Sequence, residues 1–216
     1  PLHGAFLGLA VLSGPMNAGA VADHLVGRLS AYLRSSGQQG FVVGVSGGID
    51  SAVVSALCAA TGAPLCCMEL PIHQPPAHVD RAQRHIAALQ MAYPQVEALR
   101  VDLTPVYEAF RGTVHTPDDA TGFLALANTR SRLRMATLYH QAGLRRALVV
   151  GTGNKVEDFG VGFFTKYGDG GVDLSPIADL YKTEVYALGR YLGVGQDILQ
   201  APPTDGLFAD DRSDED

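Results

Sequence analysis

The sequence predicts an α/β fold, a Rossmann-like open parallel sheet with helices on both faces. Three observations carry that expectation. Short apolar runs of strand length alternate with segments of helical periodicity, the order that right-handed β-α-β crossovers require. The first of these runs, residues 41–45, is apolar at every position, as a strand buried on both faces must be. A glycine turn and a small-residue helix follow it at once, so that a ligand-binding turn is expected at the carboxyl end of the first strand.

The elements follow in order. Asn17 precedes an amphipathic helix with Val21, Leu25, Leu29 and Tyr32 on one face, and residues 37–40 break that pattern. The first strand, residues 41–45, leads through the turn 46–51 into a helix over 52–60, whose alanines allow close packing on the sheet. Residues 65–70 form the second strand and 79–91 a helix with Arg81, Arg84 and His85 facing outward. Residues 96–103 form the third strand, 110–122 are polar and irregular, and 123–142 form a long helix. The fourth strand spans 147–150, a loop rich in glycine and polar residues spans 151–173, and a last helix spans 182–192. Loops of that length and composition carry function.

Composition narrows the classes. The chain has 216 residues, of which 47% are apolar and 18% charged, enough for one core of ordinary size and too apolar for a disordered chain. A net charge of −6 with no consecutive basic run argues against general nucleic-acid binding. No apolar stretch approaches the ~20 residues of a membrane-spanning helix, so no membrane partner is expected. Cys58, Cys66 and Cys67 are odd in number, form no C-x-x-C pair and lie in apolar runs, which reads as a cytoplasmic chain with reduced thiols. Met16 is expected to be the natural start, with residues 1–15 an N-terminal extension and 16–216 a single domain. The acidic stretch 210–216 reads as a solvated tail.

The most informative segment is Ser46-Gly47-Gly48-Ile49-Asp50-Ser51, between a buried strand and a helix. Gly47 and Gly48 let the backbone approach an anion without a Cβ in the way. The amides of the helix start and the hydroxyls of Ser46 and Ser51 supply donors to phosphate oxygens. No Lys follows the glycines, so this is not the G-x-x-x-x-G-K-[ST] loop, and Asp50 stands where it would repel a bound phosphate. A carboxylate there calls for a cation, and Mg²⁺ suits hard oxygen ligands shared with phosphates. The bland alternative is an ordinary βα turn without a ligand.

The hexapeptide resembles the pyrophosphate-loop family of adenylating enzymes, which cleave ATP between its α and β phosphates. Within that group the chain is similar to the ammonia-dependent NAD synthetases, of the adenine nucleotide alpha-hydrolase-like fold. The segments A-N-T-R-S-R-L-R-M (127–135), G-T-G-N-K-V-E (151–157), F-F-T-K-Y-G-D-G-G-V-D (163–173), L-Y-K-T (180–183) and P-T-D (203–205) match in the expected order. The resemblance implies a two-step amidation: the carboxylate of deamido-NAD takes AMP from ATP, and ammonia then displaces AMP to give NAD. A glutamine-dependent enzyme would need a separate ammonia-generating domain, for which 216 residues leave no room.

By the same resemblance, Gly44, Ser46, Gly47, Gly48, Ile49, Asp50, Ser51, Thr152, Lys182 and Thr204 are expected to contact ATP. Asp50 and Glu157 are expected to hold Mg²⁺. Arg132, Lys166 and Asp173 correspond to deamido-NAD contacts, and Asp169 to the acid of the ammonia site. Asp50, Lys182 and Asp169 are thus the expected catalytic residues, in a homodimer. Helical spacing puts Arg132 on a stripe with Asn128, Met135 and Tyr139, and Arg130 with Arg134 on another. Gly151-Thr152-Gly153 opens like a dinucleotide fingerprint, but position 156 is Val in place of the third Gly. Measured against the family, the chain is expected to lack a further C-terminal helical stretch. The rivals are the ATP-pyrophosphatase part of another amidotransferase, such as guanylate synthetase, and a non-catalytic adenylate-binding sensor.

Overall fold

The computed structural model describes residues 16–201. Four parallel strands, β1 (Gly40–Gly44), β2 (Leu65–Glu69), β3 (Val96–Arg100) and β4 (Ala147–Val150), lie in the order β3-β2-β1-β4. β1 is central: Phe41 is in register with Leu65 of β2 and with Leu148 of β4. The connection that passes from β3 across to β4 makes the carboxyl end of β1 the point where the strand order reverses, which is where open parallel sheets bind ligands.

Side-chain alternation along the strands builds two cores. Phe41, Val43, Leu65 and Cys67 face one way, onto the helices α1 (Ala18–Ser36), α2 (Ile49–Ala60) and α3 (Pro76–Ala92). Val42, Cys66, Met68 and Val149 face the other way, onto α4 (Thr104–Thr113) and α5 (Ala120–Arg145). This is the period of two that a pleated strand imposes, and it gives the expected sheet with helices on both faces. A π-helix over Lys155–Val161, then α6 (Lys182–Tyr191) and a short α7 (Gln196–Leu199), complete the described chain. No helix of the described residues is long and apolar enough to cross a membrane.

Several expectations need correction. Residues 104–113 form a helix, α4, that the sequence reading did not assign, and residues 120–122 belong to α5. Only Tyr107 of α4 is buried, although Leu103, Tyr107, Phe110 and Val114 keep helical spacing. α3 starts earlier than residue 79, with Pro75 as N-cap and Pro76 in the first turn, where a missing N–H costs nothing. His85 does not face outward. It is 7% exposed and its Nε2 lies 2.9 Å from Ser55 Oγ of α2. Tyr32 is exposed on α1, where Leu29 and Leu33 take the core positions.

Candidate active site

The turn after β1 is held by its own serines. Ser51 Oγ donates to the Gly48 carbonyl at 3.0 Å and accepts from the Ser46 amide at 3.2 Å, while Ser46 Oγ accepts from the Gly48 amide at 3.2 Å. Gly47 has φ +86°, and a Cβ there would lie 2.5 Å from the His78 carbonyl of α3. Glycine is therefore required twice at this position, for the left-handed backbone and for the close approach. α2 begins at Ile49, so Ile49, Asp50 and Ser51 form its first turn, where backbone N–H groups have no helical partners and favour anions. Arg81 of α3 donates from Nε to the Gly47 carbonyl at 3.4 Å and brings a cation to the same turn.

Three residues far apart in sequence meet beside this turn. Lys182, the first residue of α6, places Nζ 2.6 Å from Asp50 Oδ2 and 2.8 Å from Glu157 Oε1. Asn154 joins the two acids from below. It is fully buried, donates from Nδ2 to Asp50 Oδ1 at 3.2 Å, and accepts at Oδ1 from the amides of Val156 at 3.0 Å and Glu157 at 3.2 Å. It thus caps the π-helix that carries Glu157 while fixing the carboxyl of Asp50. Short π-helical segments interrupt regular geometry and recur at functional positions. Asn154 is the residue that the sequence reading passed over. Its signal was its place inside the matched 151–157 segment.

Charge in this triad is unbalanced. Burial works against the Lys182 ammonium, but Asp50 and Glu157 together outweigh it and hold its pKa well above the ordinary value. Burial raises the Asp50 carboxyl, and the nearby Glu157 adds to that rise, against the lowering effect of Lys182. Two carboxylates therefore share one ammonium, and the surplus negative charge suits a divalent cation. Among the described residues no third His, Cys, Asp or Glu joins the pair. Two carboxylates with the remaining positions left to phosphate and water is the donor set Mg²⁺ favours, so these residues fit that ion.

A second group of expected residues gathers on α5. Ser131 Oγ donates to Asp169 Oδ1 at 2.6 Å, and the Thr165 amide donates to the same oxygen at 3.0 Å. Arg132 Nε donates to the Lys166 carbonyl at 3.1 Å, and Thr165 Oγ1 donates to Asn128 Oδ1 at 2.7 Å. Gly168 lets the loop lie this close, because a Cβ there would fall 2.2 Å from Ser131 Oγ. Arg132, Lys166 and Asp169 are exposed here, with Lys166 Nζ 5.0 Å from the centre of the Tyr167 ring. Asp173 has both oxygens engaged: Oδ2 accepts from the Val149 amide at 2.7 Å and Oδ1 from Tyr139 OH at 3.0 Å. Burial and then Asp173 push the Tyr139 phenol up to about 12, so it stays a donor.

The arginine stripe reads differently in three dimensions. Arg134, not Arg132, points inward, donating from Nε to the Leu70 carbonyl at 3.0 Å and from a terminal nitrogen to Gln74 Oε1 at 2.9 Å. Burial and then Arg130 push it down to about 10, which leaves it charged at neutral pH. Arg134 lines a cavity at the carboxyl ends of β1 and β2, shared with Gly44, Ser46, Glu69 and Thr152. Three expected ATP contacts, Gly44, Ser46 and Thr152, thus line one wall system. Thr204 lies outside the described residues.

A family model described as NAD synthase matches residues 21–216. A curated NH(3)-dependent NAD(+) synthetase of Sulfolobus acidocaldarius is 39% identical over 194 residues, covering 89% of this chain and 67% of its own length. Among solved structures, an NMN synthetase from Francisella tularensis superposes with a TM-score of 0.85 at 34% identity, covering 93% of this chain and 81% of that one. An NH3-dependent NAD synthetase from Campylobacter jejuni superposes with a TM-score of 0.78 at 30% identity, covering 86% of this chain and 77% of that one.

Proposed function

The chain belongs to the NAD synthase family, and on that premise we propose that it is an ammonia-dependent NAD synthetase. It is a ligase that adenylates the nicotinate carboxylate of deamido-NAD with ATP and amidates it with ammonia, giving NAD, AMP and pyrophosphate. The observation that carries this reading to the chain's own residues is the meeting of Asp50, Glu157 and Lys182 beside the turn after β1.

In the first step a carboxylate oxygen of the dinucleotide attacks the α-phosphorus of ATP, and the bond from that phosphorus to the bridging oxygen of pyrophosphate breaks. The first-turn amides of α2 and the hydroxyls of Ser46 and Ser51 donate to the phosphates. Lys182 supplies a fixed positive charge where the leaving pyrophosphate gains negative charge. Asp50 and Glu157 would hold Mg²⁺, which when bound neutralises phosphate charge. Gly44, Ser46 and Thr152 border a cavity that takes a further part of the nucleotide. No enzyme nucleophile is needed, because the substrate carboxylate is itself the nucleophile and the protein's task is positioning.

In the second step ammonia attacks the acyl carbon and AMP departs as an anion. Arg132 and Lys166 offer cations to the dinucleotide from the surface where the 165–169 loop docks on α5, and Asp173 holds that loop to β4. Asp169, oriented by Ser131 and the Thr165 amide, is the acid that receives ammonium and takes its proton. The reading includes a symmetric homodimer. Phe163, Phe164 and Tyr167 are all about half exposed or more on the loop that covers α5, an apolar surface of the kind that marks an interface. It also places the enzyme in the cytoplasm, where the thiols of Cys58, Cys66 and Cys67 stay reduced.

The test is incubation with Mg²⁺, ATP, ammonium and deamido-NAD, with AMP and NAD followed by chromatography. AMP and NAD are expected in equal amounts, and neither without the dinucleotide. AMP formed equally well without it would overturn the reading. Because one solved neighbour is named an NMN synthetase, nicotinate mononucleotide is the competing acceptor. A higher kcat/KM with the mononucleotide would reassign the substrate.

A further inference from the structure

Glu69, the last residue of β2, is 8% exposed and lines the cavity beside Ser46, yet its Oε2 is buried with no hydrogen-bond partner among the described residues. No ion pair joins it to Arg100, its register partner on β3, or to Arg134 across the cavity, again among the described residues. A buried polar oxygen without a partner is costly, and such an atom in a native structure marks a missing ligand or a strained site. The catalytic scheme above makes no use of it.

We propose that Glu69 is a specificity-determining residue that accepts hydrogen bonds from the ribose hydroxyls of the nucleotide whose phosphates lie on the 46–51 turn. The inference deepens the reading of that turn as an ATP site and rests on it. Two observations carry it. First, the carboxyl oxygens of Glu69 can accept hydrogen bonds, and a ribose presents two adjacent hydroxyl donors. Second, position fits the sugar. Gly44 is in register with Met68, and the Val45 amide donates to the Met68 carbonyl at 2.8 Å, so Glu69 sits one strand over from the residue that precedes Ser46. Neighbouring strands are only ~5 Å apart, which is the reach from a phosphate on the turn to the attached sugar, with the base lying farther out. The cavity, about 180 Å³, is smaller than the ~300–1,000 Å³ of a complete small-molecule site and suits one part of a nucleotide.

The experiment compares ATP with 2′-deoxy-ATP, 3′-deoxy-ATP and purine riboside triphosphate, which lacks the amino group of adenine, in the full chain and in Glu69→Gln. The wild-type enzyme should use at least one deoxy nucleotide tenfold or more less well in kcat/KM than ATP, a loss suited to one buried charge-assisted hydrogen bond. Glu69→Gln should lower kcat/KM for ATP and shrink that discrimination below about threefold, leaving the preference for ATP over purine riboside triphosphate unchanged. Equal use of all three sugars by the wild-type chain overturns the proposal without any variant, so it is tested even if Glu69→Gln does not fold. Discrimination between sugars that persists in a folded Glu69→Gln also overturns it, as does a change confined to purine riboside triphosphate, which would assign Glu69 to the base. Absence of AMP from every nucleotide would instead remove the underlying ATP reading.

Discussion

One ammonium lies within hydrogen-bond reach of two carboxylates that are more than a hundred residues apart, and the buried Asn154 amide holds the carboxylate of Asp50 and the backbone N–H of Glu157. Removing either acid changes the charge of the triad without emptying the space. Asp50→Asn and Glu157→Gln are therefore expected to fold with unchanged far-UV circular dichroism while losing activity by about 100-fold or more at a fixed low Mg²⁺ concentration. Asn154→Ala leaves both expected metal ligands in the chain. It frees the carboxyl of Asp50 and uncaps the helix that carries Glu157, so the apparent Mg²⁺ requirement should rise about 10- to 100-fold, the range for lost outer-shell support. Titrating Mg²⁺ against AMP formation checks all three, and wild-type behaviour of Asn154→Ala would sink the positioning role.

At the scale of elements, α2 and α3 are joined by a polar contact inside an apolar seam. Burial pushes His85 down to about 4, so the ring stays neutral against Ser55 at neutral pH. The unfolded chain would take up a proton near pH 6.5 while the folded one resists until about 4. The unfolded state therefore binds more protons in that window, and stability falls as pH drops through it. Denaturant unfolding at pH 5 should show a loss of about 2 kcal/mol relative to pH 7, and His85→Phe should remove most of that dependence. The same helix shows where a single sequence is legible. Its apolar stripe through Ala82, Ile86 and Leu89 was readable, whereas a histidine next to an arginine reads as a solvated face unless its partner on another helix is known. The start at Pro76 was hidden for a related reason, since a proline pair signals a break and a helix opening equally well. α4 keeps a helical apolar spacing, but Pro105 at its start reads equally well as a break. Strands β1, β2 and β4 were plain, because each is a short apolar run buried on both faces.

For the molecule as a whole, parallel order and the place of the binding turn followed from the alternation of elements and the Gly47-Gly48 break. The convergence of Asp50, Glu157 and Lys182 did not, because no local pattern links a turn, a π-helix and a helix start. Only resemblance along the chain brought them into one list of expectations, and Asn154 and Glu69 became visible only once burial and unmet hydrogen bonds were known. The exposed Phe163, Phe164 and Tyr167 bear on assembly. Light scattering of an active preparation should give twice the chain mass, and replacing these three with serine should shift the population toward single chains. A single-chain mass at full activity would remove the dimer from the proposal.

The outer flank of β4 bears on how copies can meet. Asp173 and Leu174 occupy it: the Asp173 amide donates to the Val149 carbonyl at 3.0 Å, the Asp173 side chain takes the Val149 amide, and the Gly151 amide donates to the Leu174 carbonyl at 2.8 Å. Open flanks of sheets invite strand-to-strand joining and fibre growth. Here that invitation is withdrawn by a loop folded back on its own sheet, so two copies can associate through side chains on helices and loops but not by extending a common ribbon of strands along this border.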